Sequence, residues 1–171
     1  NRPIEFTHPN LEQVTLSDLN AFPETILDNI DVVIHLAAHV HQLLPNTQDK
    51  KLYYDVNLDI TSKLAEATLN SSAQQFIYLS TIKVNGENTP ENKPFSSENT
   101  PDPQDDYAKS KYLAELNIKR IFMQSDVAYT IIRPPLVYGP SATGNFEQLV
   151  KLVQKNSPLL WPLGGIYNKR S

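Results

Sequence analysis

DVVIHLAA, residues 31–38, is an apolar run rich in β-branched residues that only His35 interrupts. Without polar alternation, it reads as a strand buried on both faces, the pattern of a parallel sheet. Two further runs have the same character: QQFIYLST at 74–81, and VAYTIIRP at 127–134, which Pro134 and Pro135 stop. Between the first two lies KKLYYDVNLDITSKLAEATLNS, residues 50–71, with Val56, Ile60, Leu64 and Ala67 at helical spacing. Between the second and third, Asp105 or Asp106 can cap a helix running to about Met123 and carrying Leu113, Leu116 and Ile121. Residues 84–104, rich in Pro, Asn, Glu and Ser, form a loop long enough to expect function or mobility.

Outward from this centre the signals weaken. VTLSDL at 14–19 reads as a short strand ending at Asp18, with a weak helix over 21–29. NFEQLVKLVQK, residues 145–155, reads as a helix before a Pro/Gly-rich tail. Strands alternating with helices argue for βαβ units in an α/β fold with a right-handed parallel sheet. Ligands of such sheets bind at the carboxyl ends of the strands. The residues to inspect are therefore Asp18; Leu36, Ala37 and Ala38; Ser80 and Thr81; and Pro134 and Pro135.

At 171 residues and 40% hydrophobic, the chain has the content of one globular domain. With 15 basic and 19 acidic residues its net charge of −4 offers no basic stripe for nucleic acid. No cysteine is present, which excludes disulfides and thiolate metal sites or nucleophiles. No apolar run reaches the roughly 18 residues of a membrane span, and no signal-peptide core opens the chain. A cytoplasmic protein that binds neither nucleic acid nor membrane is expected. His35, His39 and His41 raise a metal site, but no carboxylate pattern accompanies them and none is expected. Lys83 is expected to be solvated, and Tyr53 and Tyr54 to serve packing.

The candidate chemistry lies in DDYAKSKYLAE, residues 105–115. Tyr107 and Lys111 stand one helical turn apart on the same face. A free tyrosine is a poor base at neutral pH, but a nearby ammonium and a helix N-terminus favour the phenolate. Asp105 and Asp106 act the other way unless they face away as caps. Thr81, at a strand end, could hold a substrate oxygen while Tyr107 moves its proton, as hydride transfer to a nicotinamide requires. Tyr-x-x-x-Lys alone is common by chance, so the pair needs its surroundings.

Taken together, DVVIHLAA, YLSTIKVNGE, YAKSKYLAE and IIRPPLVYGP, in this order and spacing, resemble the extended short-chain dehydrogenase/reductases. Within that superfamily the resemblance is to the NAD-dependent epimerase/dehydratase family, and it covers nearly the whole chain. It implies a Rossmann-like doubly wound parallel sheet, with 1–140 part of the NAD-binding domain and 141–171 the start of the substrate-binding region. It implies Tyr107 as acid/base, Lys111 lowering its pKa and binding the nicotinamide ribose, and Thr81 bonding the reacting sugar oxygen. Asp18 and Leu19 match adenine-contacting positions. Leu36, Ala37 and Ala38 match the segment beside the ribose and pyrophosphate. Asn57 matches the asparagine that supports the strand ends, Ser80 the residue paired with the catalytic hydroxyl, and Pro134 the backbone near the carboxamide. Asn145 and Arg170 match binders of the nucleotide-sugar diphosphate. The resemblance also implies a homodimer through a four-helix bundle built from the YYDVN and YAKSKYLAE helices.

Some features depart from the family. Its N-terminal glycine-rich phosphate loop has no counterpart, since the five glycines are Gly86, Gly139, Gly144, Gly164 and Gly165. A fragment lacking the first βαβ unit, poor at binding NAD by itself, is expected. Ile82 and Lys83 replace the Asp-Glu that dehydratases carry after the threonine, which argues against elimination of water. Asn85, where many relatives have tyrosine, resembles enzymes of surface-polysaccharide pathways. The implied activity is an NAD-dependent UDP-hexose or UDP-N-acetylhexosamine 4-epimerase. An NAD(P)H-dependent 4-keto-sugar reductase and a non-catalytic Rossmann-like binding subunit stay open as alternatives.

Overall fold

The computed structural model describes residues 8–16, 18, 22–40, 47–89, 93–135 and 137. Three parallel strands, β1 (Val32–His35), β2 (Gln75–Leu79) and β3 (Ala128–Ile132), lie side by side in chain order. Their register aligns Val33 with Phe76 and Tyr129, and His35 with Tyr78 and Ile131. α1 (Thr47–Tyr54), a π-helical segment (Asp55–Ile60) and α2 (Thr61–Leu69) form the first crossover. α3 (Asp106–Phe122) forms the second.

Both crossovers pack on one face of the sheet. Val33, Phe76 and Tyr78 point into a core with Ala65, Ala73, Ala114, Ile118 and Phe122. The fully buried Ala65 and Ala114 suit close approach of α2 and α3, because a methyl group is the smallest side chain a helix can bury without the entropic cost of glycine. Asn117 Nδ2 donates to Ser62 Oγ across the same seam at 3.0 Å. The Phe76 and Phe122 rings meet at 5.4 Å between centroids, a tilted aromatic pair of the kind worth about 1 kcal/mol beyond its buried area.

The expectation of strands buried on both faces fails. Val32 and Ile34 are 42% and 58% exposed, and β3 is largely exposed, because the described helices cover one face only. β1 also stops at His35, so Leu36, Ala37 and Ala38 emerge beyond the strand end. The short strand expected at 14–19 does not form over Val14–Leu16 or at Asp18, where no described strand pairs with the chain. The helix expected over 21–29 contracts to a 3₁₀ turn, Glu24–Leu27, entered through extended Pro23 and closed near Asn29 at φ 58. Leu113 and Leu116 face outward, and the buried stripe of α3 runs instead through Ala108, Lys111, Ala114, Glu115, Ile118 and Phe122.

The 84–104 loop is tied down where it is described. Asp102 N donates to Val84 O at 2.9 Å, and Asn85 Nδ2 to Ser96 O at 3.2 Å. Gly86 turns the chain at φ +136, a conformation side-chain-bearing residues rarely adopt. His41, Leu19, Asn145, Arg170, the helix expected at 145–155 and the 141–171 substrate region lie outside the described residues.

His35 is part of the core. Its Nε2 lies 2.8 Å from Thr61 Oγ1 and its ring stacks on Tyr78. Burial, reinforced by the Lys111 charge, pushes its pKa from 6.5 down to about 4. The unfolded chain therefore binds a proton that the folded chain refuses, so this contribution is complete above pH 6.5 and is lost as pH falls toward about 4. Chemical denaturation across this window is expected to show stability falling by up to about 1.4 kcal/mol per pH unit. In His35→Gln that component of the slope should be absent.

Candidate active site

The site forms where β2 ends. Two backbone bonds continue the β2–β3 pairing past the strands: Ser80 N to Ile132 O at 2.7 Å and Ile82 N to Pro134 O at 3.1 Å. They set Thr81 beside Pro134. Thr81 then turns the chain into a 3₁₀ segment, Ile82–Val84, where its Oγ1 accepts from Lys83 N at 3.3 Å.

α3 begins opposite this turn. Asp105 caps it, its Oδ1 accepting from Ala108 N at 2.7 Å. Asp106 turns away, accepting from Tyr54 Oη at 3.1 Å and pairing with Lys50 at 3.4 Å. Tyr107 stands in the first turn, edge-on to Tyr53 with ring centroids 5.9 Å apart. Tyr53 in turn lies 5.1 Å from the His39 ring. Burial raises the Tyr107 pKa; the Thr81 side chain and the charge of Lys83 pull it down, while Asp105 and Tyr53 push it up.

Lys111 lies one turn further into α3 and is 1% exposed. Its ammonium sits 4.2 Å from the centre of the Tyr78 ring, a cation–π contact that partly replaces lost hydration. Burial lowers its pKa to about 8 against the opposing pull of Glu115.

Asn57, at the π-helical segment, holds the β1 exit. Its Oδ1 accepts from His39 N at 2.7 Å, and its Nδ2 donates to His39 O at 3.0 Å and to Ser110 Oγ at 3.1 Å. Single π-helical turns recur at functional sites because they redirect a side chain that a regular helix would misplace. Leu36 and Ala37, just before this clasp, are exposed, Ala38 is half-buried, and Asp18 is exposed.

Three features went unread in the sequence. The Ser80 hydroxyl donates to Glu115 Oε1 at 2.5 Å, so it faces α3. Arg133 grips both oxygens of Glu115, Nε at 2.9 Å and Nη2 at 2.5 Å, and its Nη1 donates to Asn85 Oδ1 at 3.0 Å. Lys83, expected to be solvated, contacts Asp105 and lies 3.1 Å from Glu87. A glutamate on the apolar stripe of α3 and an arginine at a strand end were the available signals for the second. Among the described residues, no group of three or more His, Cys, Asp or Glu is gathered for a metal.

Removing one partner of a buried ion pair strands the other charge, at a cost of roughly 3–5 kcal/mol. Arg133→Met should lower the urea midpoint accordingly. Arg133→Lys should rescue little, since a single ammonium cannot reproduce the bidentate grip together with the Asn85 bond.

Similarity to known proteins agrees with this geometry. Residues 1–162 match the NAD dependent epimerase/dehydratase family. A UDP-glucose 4-epimerase of Vibrio cholerae is 41% identical over 164 residues, 91% of this chain and 48% of that protein. An N-acetyl-alpha-D-glucosaminyl-diphospho-ditrans,octacis-undecaprenol 4-epimerase of Escherichia coli O157:H7 is 29% identical over 85% of this chain and 43% of its own length. The chain thus spans about half the length of these curated relatives. A crystal structure of UDP-glucuronic acid 4-epimerase from Bacillus cereus, in complex with UDP-glucuronic acid and NAD, superposes with a TM-score of 0.73. It is 28% identical and covers 83% of this chain and 45% of that one. The match over residues 1–162, on a sheet of parallel strands joined by helices, places this chain in the NAD-dependent epimerase/dehydratase family.

Proposed function

We propose that the protein bearing this sequence is an NAD-dependent nucleotide-sugar 4-epimerase acting on a UDP-hexose or UDP-N-acetylhexosamine. The observation that carries the reading is the placement of Thr81 at the end of β2 and of Tyr107 in the first turn of α3, one turn before a buried Lys111.

The donor set suits the cofactor. An ammonium as buried as Lys111, with its pKa lowered to about 8, gains from any pair of hydroxyls that accepts from it, as a ribose offers. Leu36, Ala37 and Ala38 offer an accessible strand end for the ribose and pyrophosphate, and Asn57 keeps it in place through His39. Ser80 serves through its backbone, its hydroxyl being engaged with Glu115. Asp18 and Leu19 serve the adenine, Pro134 the carboxamide, and Asn145 and Arg170 the substrate diphosphate. NAD, when bound, supplies reversible hydride acceptance. Thr81 holds the sugar 4-oxygen, and Tyr107 takes its proton and returns it as the 4-keto sugar is reduced on its other face. Burial favours the protonated Tyr107 phenol, the form that returns the proton; the charge of Lys83 favours the base form.

Tyr107→Phe in the complete polypeptide should lower turnover of UDP-galactose and UDP-N-acetylgalactosamine by about 10²–10⁴-fold. Retention of activity within a few-fold of wild type would rule the assignment out. Epimerisation without net NADH consumption separates this activity from a 4-keto-sugar reductase.

The assembly in this proposal is a homodimer through the outer faces of α1, α2 and α3. Leu52, Leu113 and Leu116 are exposed there beside a charged groove lined by Asp55, Lys63, Glu66 and Arg120. Light scattering on the complete polypeptide should give twice the monomer mass, and Leu116→Glu should shift it to monomer. A wild-type monomer refutes this arrangement.

A further inference from the structure

Lys83 lies two residues past Thr81, in the 3₁₀ turn Ile82–Val84, and two carboxylates hold its ammonium: Asp105 in direct contact and Glu87 at 3.1 Å. Its side chain is only 24% exposed. Asp105 is also the cap of α3, two residues before Tyr107. The Lys83 backbone N–H donates to Thr81 Oγ1. One residue therefore touches the Thr81 hydroxyl through its main chain and the cap of the Tyr107 helix through its side chain.

The groups acting on the Tyr107 phenol come from three elements. Thr81 and Lys83 lie at the β2 exit, Asp105 at the start of α3, and Tyr53, whose ring meets that of Tyr107 edge-on, on α1. The charge of Lys83 favours the phenolate, and the Lys111 ammonium, one turn further on, lies over the Tyr78 ring. Asp105 is needed as a cap, yet its negative charge opposes formation of a phenolate. A lysine in contact with that carboxylate removes the conflict while leaving the cap in place.

We infer that Lys83 is a positioning residue for proton transfer by Tyr107, setting Thr81 and the α3 cap in register and offsetting the Asp105 charge so that the phenol can give up its proton. This inference rests on the epimerase reading above. It assigns a role to a side chain that the Tyr-Lys-Thr set leaves out.

The test is the pH dependence of kcat in the complete polypeptide, with UDP-galactose, from about pH 5.5 to about 9. A base must be deprotonated to act, so activity falls on the acid side of its pKa. Loss of the cation raises that pKa and moves the acid limb up. In Lys83→Met the limb should rise by about 0.5–1 pH unit, with kcat near neutrality down about 5–10-fold and KM within about twofold. Lys83→Arg should restore most of both. Asp105→Asn, which keeps a capping oxygen, should move the limb the other way.

An acid limb in Lys83→Met that coincides with wild type overturns the inference. Should Lys83→Met fail to fold, an unmoved limb in Asp105→Asn overturns it instead. If Tyr107→Phe turns over normally, the epimerase reading falls and takes this inference with it. If Tyr107→Phe is inactive while the limbs coincide, Lys83 alone loses its role.

Discussion

The Arg133 guanidinium grips both oxygens of Glu115 where almost no water reaches, and the same arginine bonds Asn85 while the same glutamate accepts from Ser80. Four segments meet in this one network: the exits of β2 and β3, the middle of α3, and the start of the 84–104 loop. Taking two charges out of water is costly, and only multidentate geometry with every polar atom engaged offsets that cost. The arrangement tolerates little drift for this reason. If α3 slid along the sheet, a buried carboxylate would lose its partners. The position of Tyr107 relative to Thr81 depends on that constraint, because one lies at the start of α3 and the other at the end of β2.

A second clasp acts on the other side of the site. Asn57 uses its amide oxygen and nitrogen on the backbone of His39, and bridges to Ser110 on α3. It thereby ties the β1 exit, the first crossover and the helix bearing Tyr107 and Lys111 together. The π-helical segment around Asn57 is the local irregularity that accompanies this polar residue facing inward at full burial. Between the two clasps, Tyr107 makes an edge-on aromatic contact with Tyr53.

Much of this was legible beforehand. The three strand cores, both crossovers and the Asp105 cap follow from apolar runs, helical spacing and cap chemistry, which are local properties of the chain. The Tyr107–Lys111 spacing follows from the helical period alone. The misses share one cause. Burial on the second face of the sheet depends on which elements cover it, and Val32 and Ile34 look no different in sequence from residues that are covered. The outward direction of Leu113 and Leu116 depends on which stripe of α3 meets the sheet, and that stripe includes Lys111 and Glu115, which a hydrophobic pattern assigns to solvent. Lys83 looks solvated in sequence for a like reason: one of its two carboxylate partners, Asp105, lies far along the chain.

What the sequence determined by itself was the alternation of strand and helix, the strand ends at which chemistry can occur, and the candidate Tyr, Lys and Thr. These depend on short-range sterics and on the periods of strand and helix. Only the tertiary structure decided where the charges beside the site go: Lys83 contacts Asp105 at the α3 cap, the Lys111 ammonium rests on Tyr78, and Asp106 turns to Tyr54. Electrostatic influence falls with distance through space and with solvent access, and neither can be read from separation along the chain.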